Sequence, residues 1–307
     1  AAGVDAAAPD AAVVSVLAAT GCVKADALDQ GCPAFVALRA MARAEPLSGA
    51  LRADVLTALR APGPAAQVAT ILLADGAVLP RVPEVTRALL ETLDLPDLPP
   101  LRKIEVLGAL SARPTAGVVR QALQLAEAAS APVAAAALTL AARNVASAQR
   151  DHALKVGRRL FEPTAPPVVR NAAADLLGAL DDGESVGGLI GALDDEMVGA
   201  AAAMALARVR SDAAWFALLQ RIERAASGAP LAPSILVAVG RMKMHPAYDA
   251  AALEAAVRAA LPKLEAAASE DRRAAIAVHV ARRLIAQPPA QPAQPAQPAQ
   301  PSLPGPR

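Results

Sequence analysis

Three histidines, His152, His245 and His279, are the first side chains to weigh as chemistry. They are far apart in sequence and none is followed by glutamate, so no His-Glu metal pair arises. His279 lies between Val278 and Val280 and reads as a packed or solvent-edge residue. Cys22 and Cys32 are the only cysteines. Two sulfurs at that spacing do not make a four-ligand zinc set, nor the two-residue spacing of a thioredoxin-like redox motif. A clustered even pair points to a disulfide and an oxidising compartment; two buried reduced thiols are the alternative. The acidic pairs Asp181-Asp182 and Asp194-Asp195, with Glu184 and Glu196, supply carboxylates. Calcium needs six or more oxygens in a tight loop, and pairs about thirteen residues apart read instead as solvated turn and capping residues.

Basic residues cluster as Arg158-Arg159, Arg208 with Arg210, Arg221 with Arg224, Arg272-Arg273 and Arg282-Arg283. On one face they would track phosphates. Binding single strands by stacking also needs aromatic platforms, and aromatics make up only 2% of the chain. The single tryptophan, Trp215, is spaced from Leu218, Leu219 and Ile222 as one helical stripe, which is a core pattern. Met197, Met204, Met242 and Met244 suit core or adaptable surface better than a metal site. Neither a Ser-His-Asp arrangement nor a dinucleotide fingerprint occurs. Gly187-Gly188 lacks the Lys-Ser/Thr partner of a phosphate loop. The chain reads as having no catalytic residues, no cofactor and no metal.

The elements that carry these residues are organised around Thr164 to Ser211. One phrase occurs twice there, Leu176-Leu177-Gly178-Ala179-Leu180-Asp181-Asp182 and Leu189-Ile190-Gly191-Ala192-Leu193-Asp194-Asp195. A helix from Met197 to Val209 repeats the first at a shift of about 29 residues, with Val169 on Val198, Leu177 on Leu206 and Leu180 on Val209. Val169, Ala173, Leu177 and Leu180 form one apolar stripe. Gly178 and Gly191 cost about 1 kcal/mol each against alanine in a helix, and close packing of the two helices of one hairpin is the expected compensation. Gly183 suits the turn after the first copy, and Asp182 or Ser185 can cap the next helix. One hairpin cannot bury its face alone, whereas stacked hairpins can.

This segment resembles the HEAT-repeat family, in particular the bacterial HEAT-like repeats of the phycobilin-lyase type. The resemblance rests on Val169-Arg170 with Ala172 to Ala174 and Leu177-Gly178-Ala179-Leu180, then Leu189-Ile190 with Ala192-Leu193-Asp194-Asp195, over roughly 50 residues. In the second copy Gly199 stands where Arg170 stands in the first. The family implies an armadillo-like α-solenoid of stacked antiparallel hairpins, with Val169, Leu177, Gly178, Leu180, Ile190, Gly191, Leu193 and Leu206 packing the repeats. Among enzymes of similar fold, deoxyhypusine hydroxylases use His-Glu pairs that this chain lacks. The HEAT-like DNA glycosylases need aromatic surfaces that it also lacks.

The chain has 307 residues, 55% apolar, with a net charge of +1. That size suits one elongated array or two compact domains, and a balanced charge predicts neither nucleic acid nor an anionic membrane as partner. No stretch is long and apolar enough to span a membrane. The sequence starts at Ala1 without methionine, which suggests a processed start. Leu17-Ala18-Ala19-Thr20-Gly21-Cys22 resembles a bacterial lipobox, though Asp5 and Asp10 stand where basic residues are expected and Leu17 is two positions early.

Three parts are expected: an arm and Cys-closed loop over 1–32, helical hairpins over 33–286, and a Pro/Ala/Gln-rich tail over 287–307. The predicted helices are Pro33–Ala44, Ser48–Arg60, Pro64–Leu73, Pro83–Leu93, Pro100–Ser111, Ala116–Ala128, Pro132–Val145 and Ala148–Phe161, then the central motif. Asp212–Ala226, Pro230–Met242, Asp249–Ala267 and Glu270–Ala286 follow. Pro99-Pro100 before Leu107-Gly108-Ala109-Leu110 matches Pro166-Pro167 before the later copy. The tail, with proline at every third position, favours polyproline II and reads as a disordered end or semi-rigid spacer, with a tether through peptidoglycan or a ligand for a proline-binding groove as the alternatives. The function expected is a noncatalytic protein-protein interaction scaffold in the bacterial cell envelope, periplasmic or secreted, presenting a concave face to another protein. A cytoplasmic nucleic-acid-binding protein and a chaperone-like accessory subunit related to phycobilin lyases are the alternatives. The oligomeric state is left open.

Overall fold

The computed structural model describes residues 83–286 and, before them, residues 55–59, 66, 69, 70 and 73. The arm over 1–32 with its Cys22–Cys32 pairing, the tail over 287–307 and most of the helices expected before Pro83 lie outside the described residues. Every regular element among the described residues is helical; no strand occurs among them. The chain divides into two compact units between Ser211 and Asp212, a boundary inside the stretch expected to form hairpins.

The first unit holds α1 (Pro83–Leu93), α2 (Pro100–Ser111), α3 (Ala116–Ala128), α4 (Ala131–Asn144), α5 (Arg150–Phe161), α6 (Pro167–Ala179), α7 (Val186–Gly191) and α8 (Gly199–Leu206). Proline punctuates their starts: Pro100, Pro132 and Pro167 sit in first turns, where a missing N–H costs nothing. Thr115 caps α3, its Oγ1 accepting from the Val118 N–H at 3.2 Å. α4 and α6 are apolar almost all round. α4 buries Val133, Ala134, Ala135, Ala137, Leu138, Leu140 and Ala141, and α6 buries Val169, Ala172, Ala173, Ala174, Leu176 and Leu177. Helices of that kind belong inside. α4 packs on α2, α3 and α6, and α6 packs on α5 and α8. Each central helix thus touches both its neighbour in sequence and the helix after that.

The second unit holds α9 (Asp212–Ala226), α10 (Pro233–Arg241), α11 (Ala250–Ala267) and α12 (Arg272–Ala286). The same contacts recur: α9 packs on α10 and α11, and α12 packs on α10 and α11. Trp215 is buried in α9 with its ring centroid 5.1 Å from that of Tyr248. Burial raises the Tyr248 phenol above its ordinary pKa. Asp249 caps α11, accepting from the Ala251 and Ala252 N–H groups at 2.9 and 3.0 Å.

Four local expectations need correction. The helix expected over Ala148–Phe161 starts as a single 3-10 turn, Ser147–Gln149, before α5. The helix expected over Met197–Val209 is shorter, because Asp195 draws Met197 and Val198 into its capping turn. The turn after α6 is made by Asp181, not Gly183. Asp181 takes the left-handed conformation at φ 53°, with Asp182 N–H bonded to Leu177 O and Asp181 N–H to Gly178 O, the two bonds of a Schellman ending. Neither Asp182 nor Ser185 caps α7 with its side chain.

Candidate interaction surface

Polar side chains tie helices of the first unit to the next helix but one. Arg170, in the first turn of α6, donates from Nη1 to Asp195 at 2.8 Å, with its guanidinium 5.7 Å from the centroid of the Phe161 ring. The other Asp195 oxygen accepts from the N–H groups of Met197 and Val198 at 2.9 and 3.2 Å. The Met197 N–H, then Arg170, hold this carboxyl below its ordinary pKa. Asn171 donates to the Met197 carbonyl at 3.1 Å. At the other end of the pair, Asp181 accepts from the Arg210 N–H at 2.7 Å and Arg208 lies 3.2 Å from Asp175. Bonds join start to start and end to end, so α6 and α8 run parallel.

Other helices are joined in the same way. Gln149 donates to Ala116 O at 2.6 Å and Arg159 pairs with Glu127, tying α5 to α3. Arg102 donates to Ala66 O at 2.7 Å, and Arg113 to Leu73 O, which extends the pattern before α2. The densest knot surrounds Asp182, whose side chain is only 3% exposed, which reverses the solvated turn expected of it. Arg158 of α5 grips it from Nε at 2.8 Å and from Nη2 at 2.5 Å, while Ser185 donates its hydroxyl to the same carboxylate. Burial alone would raise the Asp182 pKa, but the bonds from Arg158 and Ser185 outweigh it and the carboxyl stays below its ordinary value. Its bond to Asp182 in turn raises the Arg158 guanidinium.

Of the residues expected to pack the repeats, Val169, Leu177, Gly178, Leu180, Leu193 and Leu206 are buried, Ile190 is half-buried and Gly191 is exposed. Leu189 takes the core position in α7. The compensation expected at both glycines is found at one, and against a different helix. A Cβ on Gly178 would lie 2.7 Å from the Cα of Ala205 on α8, whereas a Cβ on Gly191 would meet nothing within 4 Å. Gly191 ends a six-residue helix on the solvent side, so no neighbour approaches it.

The acidic pairs serve structure. Asp182 and Asp195 hold arginines and turns, and no group of three or more His, Cys, Asp or Glu among the described residues could hold a metal ion. His152 and His279 are exposed, and His245 accepts the Ala247 N–H on Nδ1 at 3.1 Å. Several of the clustered arginines are paired within the chain: Arg158 with Asp182, Arg159 with Glu127, Arg208 with Asp175 and Arg282 with Glu265.

Three of the large apolar side chains open to solvent in the first unit sit at or just before helix starts, with Leu95 exposed after the end of α1. Leu101 of α2 is 74% exposed, Val168 of α6 47% and Met197, before α8, 65%. Leu101 and Val168 each follow a Pro-Pro pair. Val168 lies one turn before Asn171, which holds the Met197 carbonyl, so Val168 and Met197 share one end of the α6–α8 pair. The sequence pattern drew attention to the repeated prolines and to Met197 as core or adaptable surface, but not to Leu101 or Val168. The signal was present, because Val169 takes the buried stripe and leaves its neighbour Val168 off it. No helix among the described residues is long and apolar enough to cross a membrane. No protein-family model, curated protein or solved structure matches the chain.

Proposed function

We propose that this protein is a noncatalytic interaction scaffold of HEAT-like hairpins, an α-solenoid that holds an ordered surface for another protein. The observation that carries this reading is the repeated exposed apolar group at the helix starts, Leu101, Val168 and Met197, on helices tied to one another by polar side-chain bonds. Rigid presentation lowers the ordering cost of association. Exposed apolar groups rimmed by polar ones suit a protein partner. Pairing of Arg158, Arg159, Arg208 and Arg282 with carboxylates leaves less positive charge for phosphates, so a nucleic-acid partner is less well supported. The cell envelope is the proposed location, on the strength of the cysteine pair alone; free thiols at Cys22 and Cys32 in protein purified under alkylating conditions would remove that support.

The test is a tagged capture from the source cells, eluted in a salt series. The reading expects one protein at near-equal amount, lost when Leu101, Val168 and Met197 are all changed to serine. Three exposed substitutions leave the core intact. Unchanged capture by the triple variant removes the helix starts from the interface. Recovery of nucleic acid that falls steeply with salt replaces the scaffold reading with the electrostatic one.

A further inference from the structure

A second surface lies apart from Leu101, Val168 and Met197. A groove of about 480 Å³ runs between α1 and the α2–α3 turn, lined by Pro83, Thr86, Arg87, Leu90, Arg113, Pro114 and Thr115. That volume falls within the range of ligand sites, about 300–1,000 Å³. We propose that this groove binds an extended peptide segment in which an acidic side chain stands next to an aliphatic one.

The chemistry of the lining selects that occupant. Two of the lining residues are arginines and none is acidic. Arg113 is buried beneath the groove and anchored by bonds to Leu73 O and to Ala109 O at 3.2 Å. Arg87 is exposed at the lip, and among the described residues no group bonds either its guanidinium or the Thr86 hydroxyl. A planar guanidinium unbonded by the described residues matches a carboxylate in two-point fashion. Thr86, one residue before it, adds a donor. Pro83, Leu90 and Pro114 give the groove apolar walls for an adjoining aliphatic group. Pro83 and Pro114 present no N–H to the ligand, so recognition falls to the side chains. The groove is independent of Leu101, Val168 and Met197, and the proposal goes beyond the scaffold reading by naming a second partner chemistry.

The test uses the full-length protein and fluorescein-labelled, end-blocked hexapeptides alternating leucine with glutamate or leucine with glutamine. Anisotropy is expected to show the glutamate peptide binding at least tenfold more tightly. Arg87→Gln should weaken that binding about tenfold and abolish the preference, with Arg87→Lys in between. The Arg87 side chain is on the surface, so these variants keep the fold; far-ultraviolet circular dichroism confirms it. Equal affinity for the two peptides, no binding of either at millimolar concentration, or unchanged binding by Arg87→Gln overturns the proposal. Full displacement by glutarate at the concentration of unlabelled peptide needed for the same effect also overturns it, because the site would then select a small dicarboxylate rather than a peptide.

Discussion

The same residue in the same short phrase should respond differently to the same substitution. Gly108 and Gly178 each occupy the second position of Leu-Gly-Ala-Leu, near the end of α2 and α6. Replacing either with alanine removes the backbone freedom of glycine and gains about 1 kcal/mol of helix propensity. At Gly108 nothing else changes, because an added Cβ meets no atom within 4 Å. At Gly178 the added Cβ falls 2.7 Å from Ala205 Cα and 3.0 Å from both Ala205 Cβ and its carbonyl oxygen. Carbon atoms prefer separations of about 3.5–4.0 Å, so α8 must retreat by roughly 1 Å over that turn. Overpacking of this kind costs about 1–3 kcal/mol. Gly108→Ala is therefore expected to stabilise by up to about 1 kcal/mol, and Gly178→Ala to range from neutral to about 2 kcal/mol destabilising. The difference between them, about 1–3 kcal/mol, is the overpacking cost by itself. Urea unfolding followed by circular dichroism measures it as a shift in midpoint at constant m. If Gly178→Ala raises the midpoint as far as Gly108→Ala, the close approach of α6 and α8 is refuted.

The Asp182 knot makes two further predictions. Arg158→Met leaves a buried carboxylate without its cation; losses of this kind run about 3–5 kcal/mol, and the partial exposure of Arg158 puts this one at the low end, read from the urea midpoint at pH 7. The Asp182 carboxyl is depressed in the folded chain, so its contribution is present above the unfolded value of about 3.9 and disappears as pH falls through the lower folded value. In Arg158→Met burial is no longer offset by the guanidinium, so the acid-linked loss should shrink or reverse, and identical acid profiles for variant and parent would count against the pair. Asp249→Ala removes the cap of α11 and should cost about 1 kcal/mol, with Asp249→Ser recovering most of it in thermal melts.

Much of the helical framework was legible without coordinates. Pro83–Leu93, Pro100–Ser111, Ala116–Ala128 and Asp212–Ala226 follow directly from helical periodicity and from proline, threonine and aspartate at their starts, because those signals act within a turn or two of chain. Trp215 could be assigned to the core from its spacing to Leu218 and Leu219, and it is buried. The apolar stripe through Val169, Ala173 and Leu177 also fixed which of two adjacent valines would be left facing water. The acidic turns were only half legible. Capping by Asp195 is local, whereas burial of Asp182 depends on Arg158, which stands 24 residues earlier. Tertiary structure alone separated the three glycines of one repeated phrase. Gly178 is pressed by Ala205, while Gly108 and Gly191 stand open. Local sequence can specify a helix and its stripe, but the space beside a residue is set by whatever the rest of the chain brings against it.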